Sequence, residues 1–544
     1  RAVTRPALAV LAIVATAAAC AAPPRNPHVI VVGLANSPIN LDPGIGLDET
    51  SQRVHQLVFS SLLGFSPDFR PVPELATRFE TTDFQTYTAT IPAGIHFQDG
   101  REMTSADVAY TFRRFLDPTF VSGRKGAYRD LAAVDVVDRY TVAFRLKTRS
   151  GSFPANLVNV GIVPDGTGAE ASRQPIGSGP YRVVEFVPDD HVTLAPFAGY
   201  YRGAPANAGL VLKVVPDETM RGLELRKGDV DVVVNDLSPD LVASLAREPG
   251  LRVSTGPGLD YAYLGMNLRD PILRDVRVRK AIGYAIDRHA IVDYLQRGRA
   301  RETAEMIPET SWARADDLFQ FTHDPARARA LLDEAGYPDP DGDGPKPRLH
   351  LTLKTSTSEA YRLQATVLQQ QLSEVGIALD IRSYEFATLF ADVVSGNVQL
   401  YTMIFTGGSV ADPDILRRVF HSSQVPPVGF NRGHYSNPAV DRALYAASAA
   451  LTDADRRTFY IEAQRLIAED APMISLWARN NVVVSRADLA GVRVSPTGDF
   501  DFLRGVYRTP ATASTEGALP SLLAAHDAAG RSFLVAGPIA AVAR

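Results

Sequence analysis

The sequence predicts a mixed α/β protein, part of its sheet parallel, divided into more than one domain. Three observations carry this. Strand-like and helix-like patterns alternate along the chain without a fixed-period repeat. The helical stretches are long enough to serve as crossovers between parallel strands. The chain has 544 residues, 45% of them hydrophobic. That is more than one core organises, so two or three domains are expected.

The elements follow in order. "TYTATIPAGIHF" (86–97) alternates apolar and polar residues, with Tyr87, Ala89 and Ile91 on one face, as a half-buried strand does. "LVLKVVP" and "VDVVVND" read as buried or half-buried strands. In 275–298 a stripe through Val278, Ile282, Ala285 and Ile286 has helical spacing. In "DPARARALLDEAG", Asp324 suits an N-cap, Pro325 the first helical position and Gly336 the left-handed C-terminal position. Ala328, Leu331, Leu332 and Ala335 form its apolar face. Tyr361, Ala365, Leu368, Leu372 and Val375 mark another amphipathic helix before Gly376. From about Thr509 to Arg544 the chain turns rich in Ala, Gly and Ser with weak periodicity, which reads as a loosely docked or disordered tail.

Residues 1–20 have a different character. Arg1 and Arg5 precede "ALAVLAIVATAAA" (7–19), thirteen small apolar residues. A bilayer core needs about 20. A basic start, a short apolar stretch and small residues before a cut form a secretory signal. The single cysteine, Cys20, follows Ala17, Ala18 and Ala19 directly. One cysteine makes no intramolecular disulfide. Its place resembles a bacterial lipobox, where the cysteine becomes the lipidated N-terminus, with Ala17 where Leu is usual. "AAPPRNP" (21–27) reads as a tether. The expectation is a lipoprotein anchored to the outer face of the cell membrane. More than one acyl chain suffices for that.

Formal net charge is −5 and aromatics make up 8% of residues. No basic excess points to nucleic acid. There is no H-E-x-x-H, C-x-x-C or Walker A pattern, so neither cofactor nor metal is expected. "DPDGDG" (339–344) matches the first positions of a calcium loop, but His350 stands where the bidentate Glu belongs, and a solvated loop is the simpler reading.

"FTGGSVADPDILRRVF" (405–420) reads as strand, tight turn and helix. Gly407-Gly408-Ser409-Val410-Ala411 approaches the nucleophile-elbow pattern G-x-S-x-G. Ala411 replaces the last Gly, and His421 and His434 downstream sit in no catalytic motif. A Gly-rich turn at the C-terminal end of a strand also offers backbone groups to a ligand. Asp412 before Pro413 suits a helix N-cap. Tyr261 and Tyr263 would line a cleft or pack in a strand.

Six phrases in order resemble the family 5 extracellular solute-binding proteins, the peptide-, dipeptide- and nickel-binding components of bacterial ABC importers. They are "YTATIPAGIHFQDGREMTSADVAYTFRRFLDP" (87–118), "PIGSGPYRVVEF" (175–186), "NLRDPILRDVRVRKAIGYAIDR" (267–288), "DPARARALLDEAGY" (324–337), "EVGIALDIRSYE" (374–385) and "NPAVDRALYAASAALTDADRRTFYIEAQRLIAEDAPMISLW" (437–477). "NLDP" (40–43) fits as well. The resemblance covers about 28 to 508.

It implies a type II periplasmic-binding-protein-like Venus-flytrap (cluster C), two lobes with an extra inserted domain. Lobe I would comprise 28–57, 174–262 and 477–508; the inserted domain 58–173; the second lobe 263–476. A ligand contacting both lobes would drive hinge closure. In peptide-binding members the turn carries an Asp that pairs with the ligand ammonium. Ser409 occupies that place here, and Thr406 that of a Trp. Thr406, Gly407, Gly408 and Ser409 would then offer hydroxyl and carbonyl acceptors, with Asp48, Glu49 or Glu385 as alternative acids. Arg362 aligns with a region that faces a ligand carboxylate. Tyr261, Tyr263 and Asn267 complete the candidate set. The implied role is a monomeric carrier of short peptides, delivering them to an ABC permease and its ATPase. The alternatives are the same role for haem, a nickel complex, an oligosaccharide or an opine, and a serine hydrolase using Ser409.

Overall fold

The computed structural model describes residues 26–342, 344–406, 411–426 and 428–509. The expected signal segment, Cys20 and the tail beyond Thr509 lie outside the described residues, as do Gly407, Gly408 and Ser409.

An eleven-stranded sheet runs through the molecule. Ten strands form a path in the order Ile377–Tyr384, Leu349–Ser356, Leu400–Phe405, Leu251–Met266, Met473–Arg486, Val232–Val234, Ile30–Leu34, Leu210–Val214, His191–Pro196 and Tyr181–Val187. At one end Leu349–Ser356 pairs in parallel with both of its neighbours. At the other, Ile30–Leu34 does the same between Leu210–Val214 and Val232–Val234. Parallel strands need crossovers, and helices such as Glu359–Ser373 and Glu218–Lys227 supply them.

The two parallel ends are joined by a pair of long strands, Leu251–Met266 and Met473–Arg486. They run antiparallel from Leu251 opposite Arg486 to Gly265 opposite Met473, with register breaks between Pro257 and Tyr261 and between Ala262 and Tyr263. A bulge bends the bulged strand and raises local twist. It divides each strand into a half serving one end of the sheet and a half serving the other. Arg252–Thr255 runs beside Val482–Ser485, whose far edge takes Val232–Val234, whereas Tyr261–Met266 pairs with Leu400–Phe405.

A separate four-stranded sheet, Arg78–Glu80, Thr86–Thr90, Thr141–Leu146 and Leu131–Asp138, is antiparallel. The Ser105–Arg113 helix packs into its own core with Phe97, Phe112, Tyr128 and Phe144, all buried. Chain enters this region at Val58–Phe59 and leaves at Gly177–Tyr181, and the two passes lie side by side. Gly179 N–H donates to Val58 O at 2.8 Å, and the Gln98 amide bridges to Val58 O and Tyr181 O.

The helix signals translate directly. Asp324 accepts from Arg327 N–H, Pro325 opens the Pro325–Glu334 helix, and Gly336 takes φ +92°. Ala365, Leu368, Leu372 and Val375 are buried along the Glu359–Ser373 stripe. The Thr104–Asp107 capping box holds the Ser105 helix start, with Thr104 N–H donating to Asp107 at 2.8 Å. The stretch 275–298 differs from one continuous helix. It stops at Ala285, and Asp287 caps a new start.

Candidate functional site

A cleft of about 990 Å³ opens beside the long strand pair. Its floor is made by the strand pair itself, through Leu259, Asp260, Arg479 and Asn481. Arg479 pairs with Asp260 at 3.3 Å. Asn481 accepts from Asn235 at 3.1 Å and donates to Ser495 O and Pro496 O at 2.7 and 2.9 Å. One amide thus ties a floor strand to the 495–499 wall.

Three further walls come from distant parts of the chain. The Glu49–Val58 helix presents Glu49, Arg53 and Gln56. Asp48 N-caps this helix by accepting from Ser51 N–H at 2.8 Å, which sets the register of its first turn. Glu49 pairs with the buried Arg53 at 2.5 Å. The second wall is the segment 123–131 together with 150–159, from the region of the four-stranded sheet. The third follows the Leu400–Phe405 strand. It includes Thr406, Asp412, Asp414, Arg417, Arg418 and Phe430.

In the third wall the expected cap moves by two residues. The Ile415–Phe420 helix has Asp414, not Asp412, at its N-cap position. Asp412 instead closes the turn, its carboxylate accepting from Asp414 N–H at 2.8 Å. The Asp412 carboxylate thus caps an N–H two residues on, as an N-cap side chain does, while the regular helix begins only at Ile415. Burial and the adjacent Asp414 charge raise the Asp412 carboxyl to about 6. Asp414 itself holds Arg417 through two hydrogen bonds of 2.9 and 2.6 Å. Arg418 lies over the Phe430 ring at 4.3 Å, and Phe430 N–H donates to Arg418 O.

The structure brings some expected site residues together and not others. Thr406 and Glu49 line the cleft. Asp48 and Glu49 also line a neighbouring cavity of about 720 Å³ bounded by Asn36–Asn40 and Asp236. Gly407, Gly408 and Ser409 fall outside the described residues. The other five stand elsewhere. Arg362 is exposed on the Glu359–Ser373 helix, away from the cleft lining. Glu385 sits at the N-cap position of Phe386–Ser395 and accepts from Thr357. Asn267 is buried and donates to Gly396 O and Val398 O, holding a turn. Tyr263 is buried, stacked between Tyr261 and Phe405, with Arg432 donating to its hydroxyl. Tyr261 is buried with its hydroxyl 2.7 Å from Ser475. Both tyrosines pack within the sheet and neither lines this cleft, while Tyr261 also borders a separate cavity of about 50 Å³ with Arg288 and Glu305. Sequence reasoning missed Arg129, Arg418, Phe430, Arg479 and Asn481. Only the Arg417-Arg418 pair next to the Gly-rich turn signalled any of them.

The two histidines downstream of Ser409 are engaged in local structure. His421 Nδ1 accepts from Ser423 N–H at 3.1 Å, and His434 takes φ +54° beside Arg269. In 339–344, Asp339 accepts from Asp341 N–H, and Asp341 from Lys346 N–H, as in a self-bonded loop. Among the described residues no group of three or more His, Cys, Asp or Glu is arranged to hold a metal. No helix there is long and apolar enough to cross a membrane.

Comparison with known proteins gives the same direction. Glutathione-binding protein GsiB of Salmonella typhimurium is 30% identical over 487 residues, 87% of this chain and 93% of that protein. The oligopeptide-binding protein AppA of Bacillus subtilis, solved with a nonapeptide, superposes with a TM-score of 0.71 at 24% identity, covering 88% of this chain and 99% of AppA. NikZ of Campylobacter jejuni, solved with Ni(L-His), gives 0.74 at 23% identity, covering 89% and 100%. These likenesses establish the type II Venus-flytrap fold. The family described as bacterial extracellular solute-binding proteins, family 5 Middle, matches residues 70–426. The chain belongs to the family 5 extracellular solute-binding proteins of bacterial ABC importers and is a binding protein, not an enzyme.

Proposed function

We propose that this chain captures short peptides of the glutathione class in the cleft and delivers them to an ABC permease. The observation that carries the reading is the identity with glutathione-binding proteins over 87% of the chain, together with a cleft at the upper end of the about 300–1,000 Å³ usual for ligand sites. The cleft walls are charged and polar, which suits a zwitterionic backbone better than haem. Polar walls with bridging water also adapt to side chains of different size.

Closure follows from the layout. Lobe I is 28–57, 174–262 and 477–508, the inserted domain 58–173, and the second lobe 263–476. The bulged strand pair is the hinge, and a ligand touching walls on both sides of it favours the closed form. The permease and ATPase read that form. Thr406 and the 407–409 turn offer acceptors to the ligand amine, and Glu49 an acid. Cys20 carries the lipid that holds a monomeric protein at the outer face of the membrane.

Thermal-shift measurements with glutathione, dipeptides, tripeptides, tetrapeptides, haem and nickel–histidine test this. The reading expects peptides to raise the melting temperature, with glutathione among them. Stabilisation by haem or nickel–histidine and by no peptide overturns it.

A further inference from the structure

The cavity of about 50 Å³ that Tyr261 borders shares no lining residue with the cleft. One wall is the long strand pair, through Tyr261, Met473 and Ser475. A second is helical, with Leu416 and Phe420 from Ile415–Phe420 and Ile467 and Ala468 from Asp453–Asp470. The loops 304–306 and 318–321 complete it, with Phe319 and Gln320 exposed to solvent. One water takes about 10–15 Å³ of such space, so the cavity suits an occupant of about three to five non-hydrogen atoms.

The polar groups around it are committed, with one exception. Ser475 donates to Ala304 O at 2.8 Å and meets the Tyr261 hydroxyl at 2.7 Å. Arg288 donates to Thr303 O at 3.0 Å and to Phe321 O. Gln464 donates to Ala313 O and Tyr460 O and accepts from Ala315 N–H. Glu305 is the exception. Its side chain is 9% exposed, and among the described residues neither carboxyl oxygen has a hydrogen-bond partner. Arg314 Nε stands 4.0 Å away, beyond hydrogen-bond reach. The backbone at Glu305 is held, because Thr303 donates to Glu305 O at 2.7 Å. A buried carboxyl without partners is costly, so an occupant that supplies both bonds stabilises the site.

The surroundings select the occupant. Arg288 in the lining and Arg314 beside the carboxyl disfavour a cation. Burial raises the Glu305 carboxyl to about 8, Arg314 opposing and Asp316 adding to the rise, so the group is neutral at pH 7. A neutral carboxyl sets an O–H donor beside a C=O acceptor. A primary carboxamide presents the complement, an acceptor C=O beside a donor N–H. Its apolar end meets the buried Leu416, Phe420 and Ile467.

We infer that this cavity is a second binding site, taking a small primary carboxamide paired through two hydrogen bonds with the Glu305 carboxyl. The site stands apart from the cleft and from the peptide reading.

Ligand-observed NMR titration of the full chain tests it with three probes: propionamide, propylammonium and propanol. Propionamide is expected to bind saturably with a dissociation constant of about 1 mM, within reach of so few atoms. The other two should bind at least about tenfold more weakly, for want of the paired bonds. Glu305→Gln keeps a donor beside an acceptor and should hold propionamide within about threefold of wild type. Glu305→Leu should weaken it by about tenfold or more. Ala468→Phe, at a half-buried position, fills the cavity and should abolish binding, with circular dichroism unchanged. Propylammonium binding as tight as propionamide overturns the assignment. So does unchanged propionamide affinity in Glu305→Leu or Ala468→Phe, or a loss in Glu305→Gln as large as in Glu305→Leu. Absence of saturable propionamide binding to wild type overturns it as well.

Discussion

Gly177→Ala tests the neck through which chain passes into and out of the region of the four-stranded sheet. A Cβ on Gly177 would stand 2.0 Å from Val58 O and 2.8 Å from Val58 C. Ordinary contact begins near 3.4 Å, so the two passes must separate by about 1.4 Å. The obstacle is backbone, which has no rotamer to yield. Separation also strains the Gln98 bridge, which accepts from Gly177 N–H at 3.1 Å and donates to Val58 O at 2.9 Å. Overpacking costs about 1–3 kcal/mol, and with a bridge lost besides, about 3 kcal/mol is expected. Gly505→Ala is the control: its Cβ meets nothing within 4 Å. It should stay within about 0.5 kcal/mol of wild type. Urea unfolding followed by fluorescence and by circular dichroism reads both variants, and coincidence of the two probes checks that one transition is being measured. A Gly177→Ala protein as stable as the control would refute the account of the neck.

Three further outcomes follow from other sites. Asp231 is fully buried and accepts from Val31 N–H and from Arg508, at 2.9 and 2.8 Å. Asp231→Ala should cost about 3 kcal/mol in the same unfolding assay, because it strands a buried N–H and a cation. Glu305 is buried against Arg314, and burial raises its carboxyl to about 8. Its folded state therefore holds a proton that the unfolded chain releases near 4.5. The ionised form is the destabilising one, so this group's cost grows as pH rises from about 5 and levels off above 8. Glu305→Gln should flatten the fall in melting temperature across that window, and an unchanged slope counts against it. Cys20→Ser should move the protein from the membrane to the aqueous fraction and abolish labelling by a palmitate analogue; persistent membrane association argues against lipidation.

What the sequence made legible was whatever is enforced locally. Asp324, Pro325 and Gly336 each answer to a backbone requirement within a few residues, and the helix they frame lies where they mark it. The Tyr87, Ala89, Ile91 face is buried for the same reason: alternation needs only one covered side. Long-range features left weaker marks. The strand pair of the floor changes partners midway, at the Pro257–Tyr261 register break, so no single alternation runs through it. Tyr261 and Tyr263 carry aromatic rings that suit a ligand or a core equally, and only the stacking of Phe405 and the Ser475 hydroxyl decide between them. The resemblance places Arg362 in a region of chain, and Glu385 is an acid within the resembling stretch, but neither fact fixes the direction of a side chain. Arg129 and Val428 meet across 299 residues of chain, and neither carries a local signature. The family emerged from motif order, while the residues that face the cleft emerged from the fold.

The cleft beside the strand pair is expected to bind a peptide. Titration calorimetry of the unliganded protein with glutathione tests it most directly. The account predicts saturable one-to-one binding with a negative heat-capacity change, as buried apolar surface requires. Absence of binding by glutathione, with no binding by other short peptides in the same cell, would contradict it.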